Sequence, residues 1–458
     1  MKIEQLYTKC LSESAYYVES KNEVAIIDPL RDVDVYIEMA EKSGSSIKYI
    51  FETHFHADFV SGHLELAKRT GAKIIYGPNA DPNFDFYSAK DNECFSLGNI
   101  FIKAIHTPGH TLESTCFLLK NENGSNHCIF TGDTLFVGDV GRPDLAVKSD
   151  ILSKEDLAGM LFDSLHEKIS VLEDHVLVYP AHGAGSACGK NIGSETFTTI
   201  GEQKAKNYAL QPMPKEDFIA EVTNGLLAPP KYFFTDVMMN KNGGVFLQEV
   251  LDHGTVRLDV NHLLELNDEI ILDTRSPNDF SKGFFKGSIN IGLNGQFAPW
   301  VGSLIDTNKK LILICDQGTE KEAITRLARV GFDNIKGYIN INDIEQSRLI
   351  TIENLEPEDA ANLINTNSLD LLDVRKPGEL EKGFVLNSKH IRLQELESRL
   401  HELDKDTSIL VYCAGGYRSM ISCSILAKNG FKKLINISGG FSKLKHEKIP
   451  LSKNTCFL

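Results

Sequence analysis

The chain is short of several things, and each shortage removes a class of protein. Lys and Arg number 48 against 63 Asp and Glu, a formal net charge of -15, so the basic surface that draws in nucleic acid or an anionic membrane is missing. No apolar run is long enough to cross a bilayer, and no charged-then-apolar segment opens the sequence, which predicts no membrane contact. Cysteine is sparse and unpaired in pattern. The nine cysteines are an odd number, scattered, with no C-x-x-C pair, which argues against a disulfide framework and predicts a reducing, cytoplasmic setting. No segment is of low complexity, and 458 residues are too many for one core and suit about three domains.

What is present is a histidine cluster. Thr53-His54-Phe55-His56-Ala57-Asp58-Phe59 is an H-x-H-x-D series in which phenylalanine follows the aspartate. The apolar run at 48–53 reads as a buried strand, and from position 61 the pattern becomes helical until Gly71, so the histidines hang in a strand-to-helix loop. Three later segments have the same design. His110 stands in a Pro-Gly turn after the apolar run 100–105, Asp133 follows the strand 128–130, and His182 follows the strand 176–179. Imidazoles and carboxylates at successive strand ends converge at one sheet edge, as a metal site requires. This ordered series resembles the metallo-β-lactamase superfamily over roughly residues 1–230, which implies an αββα sandwich.

In the superfamily's full pattern, as in zinc glyoxalase II, the residue after the aspartate is a histidine that serves a second metal. Phe59 has no lone pair to offer. The series therefore resembles more closely the persulfide dioxygenase branch, in which the matching residues His54, His110 and Asp133 hold one Fe(II) per chain. Two histidines and a carboxylate leave coordination positions open for ferrous iron chemistry. The resemblance makes His56, Asp58 and His182 supporting neighbours of that site. It also assigns Arg142, in Gly138-Asp139-Val140-Gly141-Arg142-Pro143-Asp144, a grip on an anionic substrate, against the plainer reading of a surface arginine. Cys188, six positions past His182 in a glycine-rich run, reads either as a sulfur acceptor beside the metal or as a small buried hydrophobe.

The second half contains an internal repeat. Leu272-Asp273-Thr274-Arg275-Ser276-Pro277 recurs as Leu372-Asp373-Val374-Arg375-Lys376-Pro377, and Lys282-Gly283-Phe284 as Lys382-Gly383-Phe384. A period near a hundred residues is a duplicated domain, and each copy alternates short apolar strands with helical stretches. Both copies resemble rhodanese domains. In the second, Cys413-Ala414-Gly415-Gly416-Tyr417-Arg418-Ser419 follows the strand 409–412, where backbone N-H groups, a helix N-terminus and Arg418 would stabilise a catalytic thiolate. In the first, Cys315-Asp316-Gln317-Gly318-Thr319-Glu320 puts carboxylates around the sulfur, which predicts a raised thiol pKa and an inactive spacer.

Taken end to end, the chain resembles bacterial persulfide dioxygenase/sulfurtransferase fusions. The expected layout is a metallo-β-lactamase-like domain at 1–230, a linker at 231–260, a pseudo-rhodanese domain at 261–348 and a catalytic rhodanese domain at 349–458. The resemblance implies small-molecule thiol persulfides and dioxygen as substrates, sulfite and thiosulfate as products, and no nucleic-acid or membrane partner. A homo-oligomer is left open. Two other readings remain: a zinc thioester hydrolase of the glyoxalase II type, and a sulfur carrier that consumes no oxygen.

Overall fold

A computed structural model describes residues 1–147, 151–366 and 369–453, so the last five positions expected for the second repeat lie outside the described residues. The chain forms two compact units, Met1–Leu247 with Leu327–Phe332, and Gln248–Arg326 with Asp333–Leu458.

In the first unit two six-stranded sheets stack face to face with helices on both outer sides. One sheet runs Lys2–Thr8, Glu13–Ser20, Glu23–Ile27, Ser46–Phe51, Lys73–Tyr76, Tyr87–Ser88. The other runs Thr198–Thr199, Leu177–Pro180, Asn126–Gly132, Thr115–Lys120, Ile100–His106, Cys94–Leu97. Alternation along a strand, shifted by an irregularity in pairing between Ile47 and Tyr49, decides which layer a side chain joins. Tyr49 and Phe51 turn toward Phe95 and Phe117 between the sheets, whereas Ile47 and Ile50 pack with Tyr36, Ala40 and Leu66 of the helices Asp34–Ser43 and His63–Thr70. The opposite outer face is covered by Lys154–Asp163 and Lys215–Thr223, through Ala158, Leu161, Phe218 and Val222. Ser153 and Asp156 cap the first of these in a reciprocal box, which fixes where it starts.

The stretch expected as a linker is largely helical, with Phe233–Asn242 and Leu247–Gly254 inside it. The physical reason is burial: Phe233, Asp236 and Asn240 lie on the buried side of the first helix. The run Asn242-Gly243-Gly244, whose composition reads as a linker in the sequence, marks that helix's end, where Gly243 takes φ 79°.

The second unit holds two parallel sheets. The first repeat orders its strands Ile289–Asn290, Ile270–Asp273, Leu311–Cys315, Ile335–Asn340. The second orders them Glu353–Leu355, Leu434–Ile437, Ile409–Tyr412, Asp370–Asp373, Lys389–His390. Their central strands Leu311–Cys315 and Ile409–Tyr412 are buried throughout, as strands covered on both faces must be. Each is followed by a helix, Glu320–Ala328 and Tyr417–Lys428, and each cysteine loop lies between the two. Among the described residues no helix is long and apolar enough to cross a membrane.

Candidate metal centre and sulfur-transfer loop

Four strands of the first unit deliver the candidate ligands. His54, His56 and Asp58 follow Ser46–Phe51, His110 follows Ile100–His106, Asp133 follows Asn126–Gly132, and His182 follows Leu177–Pro180. His54, His110 and Asp133 come together, fully buried, with their ligand atoms within 4.8 Å of one another. His54 Nε2 lies 3.9 Å and His110 Nε2 3.5 Å from Asp133 Oδ2, which has no hydrogen-bond partner among the described residues.

Outer contacts decide which ring nitrogens are free. His110 Nδ1 is 2.8 Å from the Arg142 carbonyl, which can only accept, so Nδ1 carries the proton and Nε2 presents a lone pair. Thr53 Oγ1 donates to Asp28 Oδ2 at 2.8 Å and is therefore an acceptor for His54 Nδ1 at 2.9 Å, with the same result. Burial, then the neighbouring His56, holds the His54 pKa far below its ordinary value, so the ring is neutral. Burial works to raise the Asp133 carboxyl, but the charge and hydrogen bond of His182 lead the contacts that outweigh it and keep it ionised. Two imidazole nitrogens and an orphaned carboxylate oxygen, all dry, fit a divalent cation. Gly141 makes room for this packing, since a Cβ there would lie 2.1 Å from the Asp133 carbonyl and 2.9 Å from His110 Nδ1.

The remaining residues divide into two further groups. His56 Nε2 lies 3.0 Å from Asp28 Oδ1 and 3.5 Å from Glu52 Oε2, and Phe59 stacks on its ring at 4.2 Å. Asp58, His182 and Cys188 form the other group, with His182 Nε2 2.8 Å from Asp58 Oδ2 and its Nδ1 2.7 Å from Asp133 Oδ1. Cys188 is buried there, and burial, then Asp58 and Asp133, push its thiol well above the ordinary value. Arg142 is buried rather than on the surface. Its guanidinium is held by Asp144 at 2.6 and 2.7 Å and by the Leu227 carbonyl at 2.6 Å, because a carboxylate two positions on is within easy reach. Its backbone N-H donates to the Cys188 carbonyl at 2.9 Å, so the residue ties the His110 and Cys188 loops together.

Sequence reasoning missed the residues that hold the histidine loop. Asp28 accepts the Thr53 N-H at 2.7 Å, and Asn240 donates to the carbonyls of His56 and Phe59 at 2.8 Å each. No local pattern marks Asn240, which lies about 180 positions further along the chain.

In the second unit the Cys413 loop curls as the sequence predicts. Sγ accepts the Gly416 N-H at 3.1 Å and the Ser419 hydroxyl at 3.5 Å, with Gly416 at φ 92°. Arg418 is not directed at the sulfur alone: both of its terminal nitrogens bind Glu379, at 2.6 and 2.7 Å. Glu379 and Ser419 were not singled out from the sequence, although Glu379 stands only four positions past Arg375. At Cys315, burial, then Glu320, Asp273 and Asp316, push the thiol up to about 12.

Comparison with known proteins agrees with this anatomy. The family model described as "Metallo-beta-lactamase superfamily" matches residues 8–182, and "Rhodanese-like domain" matches 258–340 and 356–447. A crystal structure of a metallo-beta-lactamase from Staphylococcus aureus subsp. aureus COL is 33% identical, with a TM-score of 0.67, covering 74% of this chain and 99% of that one. The chain belongs to the metallo-beta-lactamase superfamily, and two rhodanese-like domains follow its metallo-beta-lactamase fold. A probable hydroxyacylglutathione hydrolase of Schizosaccharomyces pombe is 33% identical over 168 residues, 36% of this chain; the match spans 60% of the hydrolase's length. The structure of ETHE1 from Myxococcus xanthus is 28% identical, with a TM-score of 0.46, covering 54% of this chain and all of that one.

Proposed function

We propose that the chain is a persulfide dioxygenase coupled to a sulfurtransferase, with one Fe(II) held by His54, His110 and Asp133 and sulfane sulfur carried on Cys413. The observation that carries this reading is the ligand set itself. His54 Nε2, His110 Nε2 and Asp133 Oδ2 face one another, while Phe59 replaces a ligand and His56 groups with Asp28 and Glu52. When bound, ferrous iron would supply the electronic coupling that dioxygen needs to react with a persulfide sulfur. The protein's own part is to aim the Nε2 atoms of both imidazoles at one point, to keep Asp133 ionised and to hold the histidine loop in place. Overall, a persulfide, dioxygen and water give a thiol, sulfite and two protons. At the second site, sulfite attacks the terminal sulfur of a Cys413 persulfide, the S-S bond breaks, and thiosulfate leaves as the Cys413 thiolate is restored. The Gly416 N-H and the Ser419 hydroxyl receive that charge. Arg142 serves as a tie between loops, and Cys188 stands close enough to Asp58 and His182 to act as a sulfur relay.

A second reading rests on that same group. Asp58, His182 and Cys188 could hold another ion beside Asp133, and relatives with hydroxyacylglutathione hydrolase names favour thioester hydrolysis at such a pair. Anaerobic purification, metal quantitation and oxygen uptake separate the two. The dioxygenase reading predicts about one iron per chain and oxygen uptake that depends on persulfide. Two zinc ions with rapid hydrolysis of a glutathione thioester, and no oxygen uptake, would establish the hydrolase instead.

A further inference from the structure

The first repeat carries no reactive loop, yet it touches the reactive loop of the second at one defined point. Tyr417 is the residue immediately after Gly416, whose N-H reaches Cys413 Sγ at 3.1 Å. Its phenol donates at 2.7 Å to the carbonyl of Gly292, in the first repeat. The ring lies against Gly295, where a Cβ would come within 2.7 Å of ring carbons Cε2 and Cζ. That turn is itself fixed, because Arg326 donates to the carbonyls of Leu293 at 2.8 Å and Gly295 at 3.1 Å. A second tie lies further along the same helix, where Ser424 Oγ accepts the Asn290 N-H at 3.0 Å.

We propose that the inactive repeat is a brace for the active one, with Tyr417 as a positioning residue and the turn from Gly292 to Gly295 as its socket. This rests on the reading of Cys413 as the sulfur carrier. The physical logic is short leverage. Only the φ and ψ of Gly416 separate its N-H from the Tyr417 nitrogen, and Gly416 is held at φ 92° as the N-cap of the helix that Tyr417 opens, so a shift of the tyrosine is passed to the N-H that stabilises the thiolate. The socket accounts for a repeat that keeps its fold while surrounding its own cysteine with carboxylates.

The test uses the full chain and two substitutions, Tyr417→Phe and Gly295→Ala. The first removes the phenol's hydrogen bond and keeps the ring; the second pushes the ring from a repeat that does no chemistry. Both leave the Arg418–Glu379 and Arg375–Asp373 pairs in place. One readout is the pH profile of iodoacetamide alkylation, followed by mass spectrometry on the peptide containing Cys413. The other is sulfur transfer from thiosulfate to cyanide. The expected result is an alkylation profile displaced to higher pH, and kcat reduced on the order of fivefold with KM within about twofold, as loss of one hydrogen bond to a reacting group produces. The effect should be larger for Gly295→Ala. A role confined to stability would lower the melting temperature and leave the alkylation profile alone. If both variants fold with the parent's profile and kcat, the brace is wrong. Should Gly295→Ala fail to fold, Tyr417→Phe decides alone. A displaced profile in a chain whose parent transfers no sulfur would support the brace and refute Cys413 as the carrier.

Discussion

The two repeats use the same frame and differ in a loop of a few residues. In both, an arginine two positions past the strand-end aspartate folds back on it: Arg275 Nε lies 3.0 Å from Asp273 Oδ1, and Arg375 Nε 2.9 Å from Asp373 Oδ1. In both, the same guanidinium also holds a glycine carbonyl, Gly283 at 2.9 Å and Gly383 at 3.0 Å. The cysteine loops then part. Around Cys413 the near groups are an N-H and a hydroxyl, whereas around Cys315 they include Glu320 and Asp316. Scaffold and loop are therefore separable: the sheet and its arginine clamp stay the same while the groups around the sulfur change, because packing depends on one set of residues and the loop on another.

The largest test of that contrast is removal of each sulfur. Cys413→Ser should reduce sulfur transfer from thiosulfate by about a thousandfold or more, the scale on which loss of a nucleophile acts. Cys315→Ser should leave transfer within about twofold of the parent. Equal losses would erase the distinction between the repeats.

A smaller effect is expected from Glu379→Gln, which takes the bidentate carboxylate from Arg418. With the guanidinium no longer held, KM for thiosulfate should rise about tenfold while melting temperature changes little. An unchanged KM would show that Arg418 does not address the anion. The contrast between units can be sharpened in the same way. Asn240→Ala removes two donors from the histidine loop, so iron affinity should fall about tenfold while sulfur transfer by the repeats stays as it was. Iron quantitation after dialysis against a chelator would report it.

The smallest effect concerns Cys315. With its thiol pushed up to about 12, roughly one molecule in a thousand carries the thiolate at pH 9, so labelling should be slow and rise steeply with pH. Glu320→Gln should lower that value and speed labelling a few-fold. The sign for stability follows. The folded value lies above an unfolded one of about 8.5, so this thiol's contribution is complete below that pH and is lost as pH climbs toward 12. Urea midpoints for Cys315→Ser should fall less with pH than those of the parent.

Much of this was legible in the sequence where a signal is local. Strand-end histidines, the Pro-Gly turn at His110 and the cysteine loops all stand beside the apolar runs that position them, and the helix after His54 ends at Gly71 as read. The structure brings His54, His110 and Asp133 into one group. What could not be read depends on distant partners. Asn240 reaches the loop from a helix in a stretch that looked like a linker, because Asn-Gly-Gly is both a linker signal and a helix terminator. The contacts of Arg142 with the Leu227 carbonyl and the Cys188 carbonyl likewise join positions far apart in the chain. Glu379 meets Arg418 across 39 positions, which no short motif encodes.

In the proposed function, oxidation and transfer are separate chemistries at separate sites. The direct measurement is oxygen uptake and product analysis on iron-loaded Cys413→Ser supplied with a small-molecule persulfide. The expected result is persulfide-dependent uptake near the parent rate with sulfite in place of thiosulfate. Absence of uptake, or thiosulfate formed as in the parent, would contradict it.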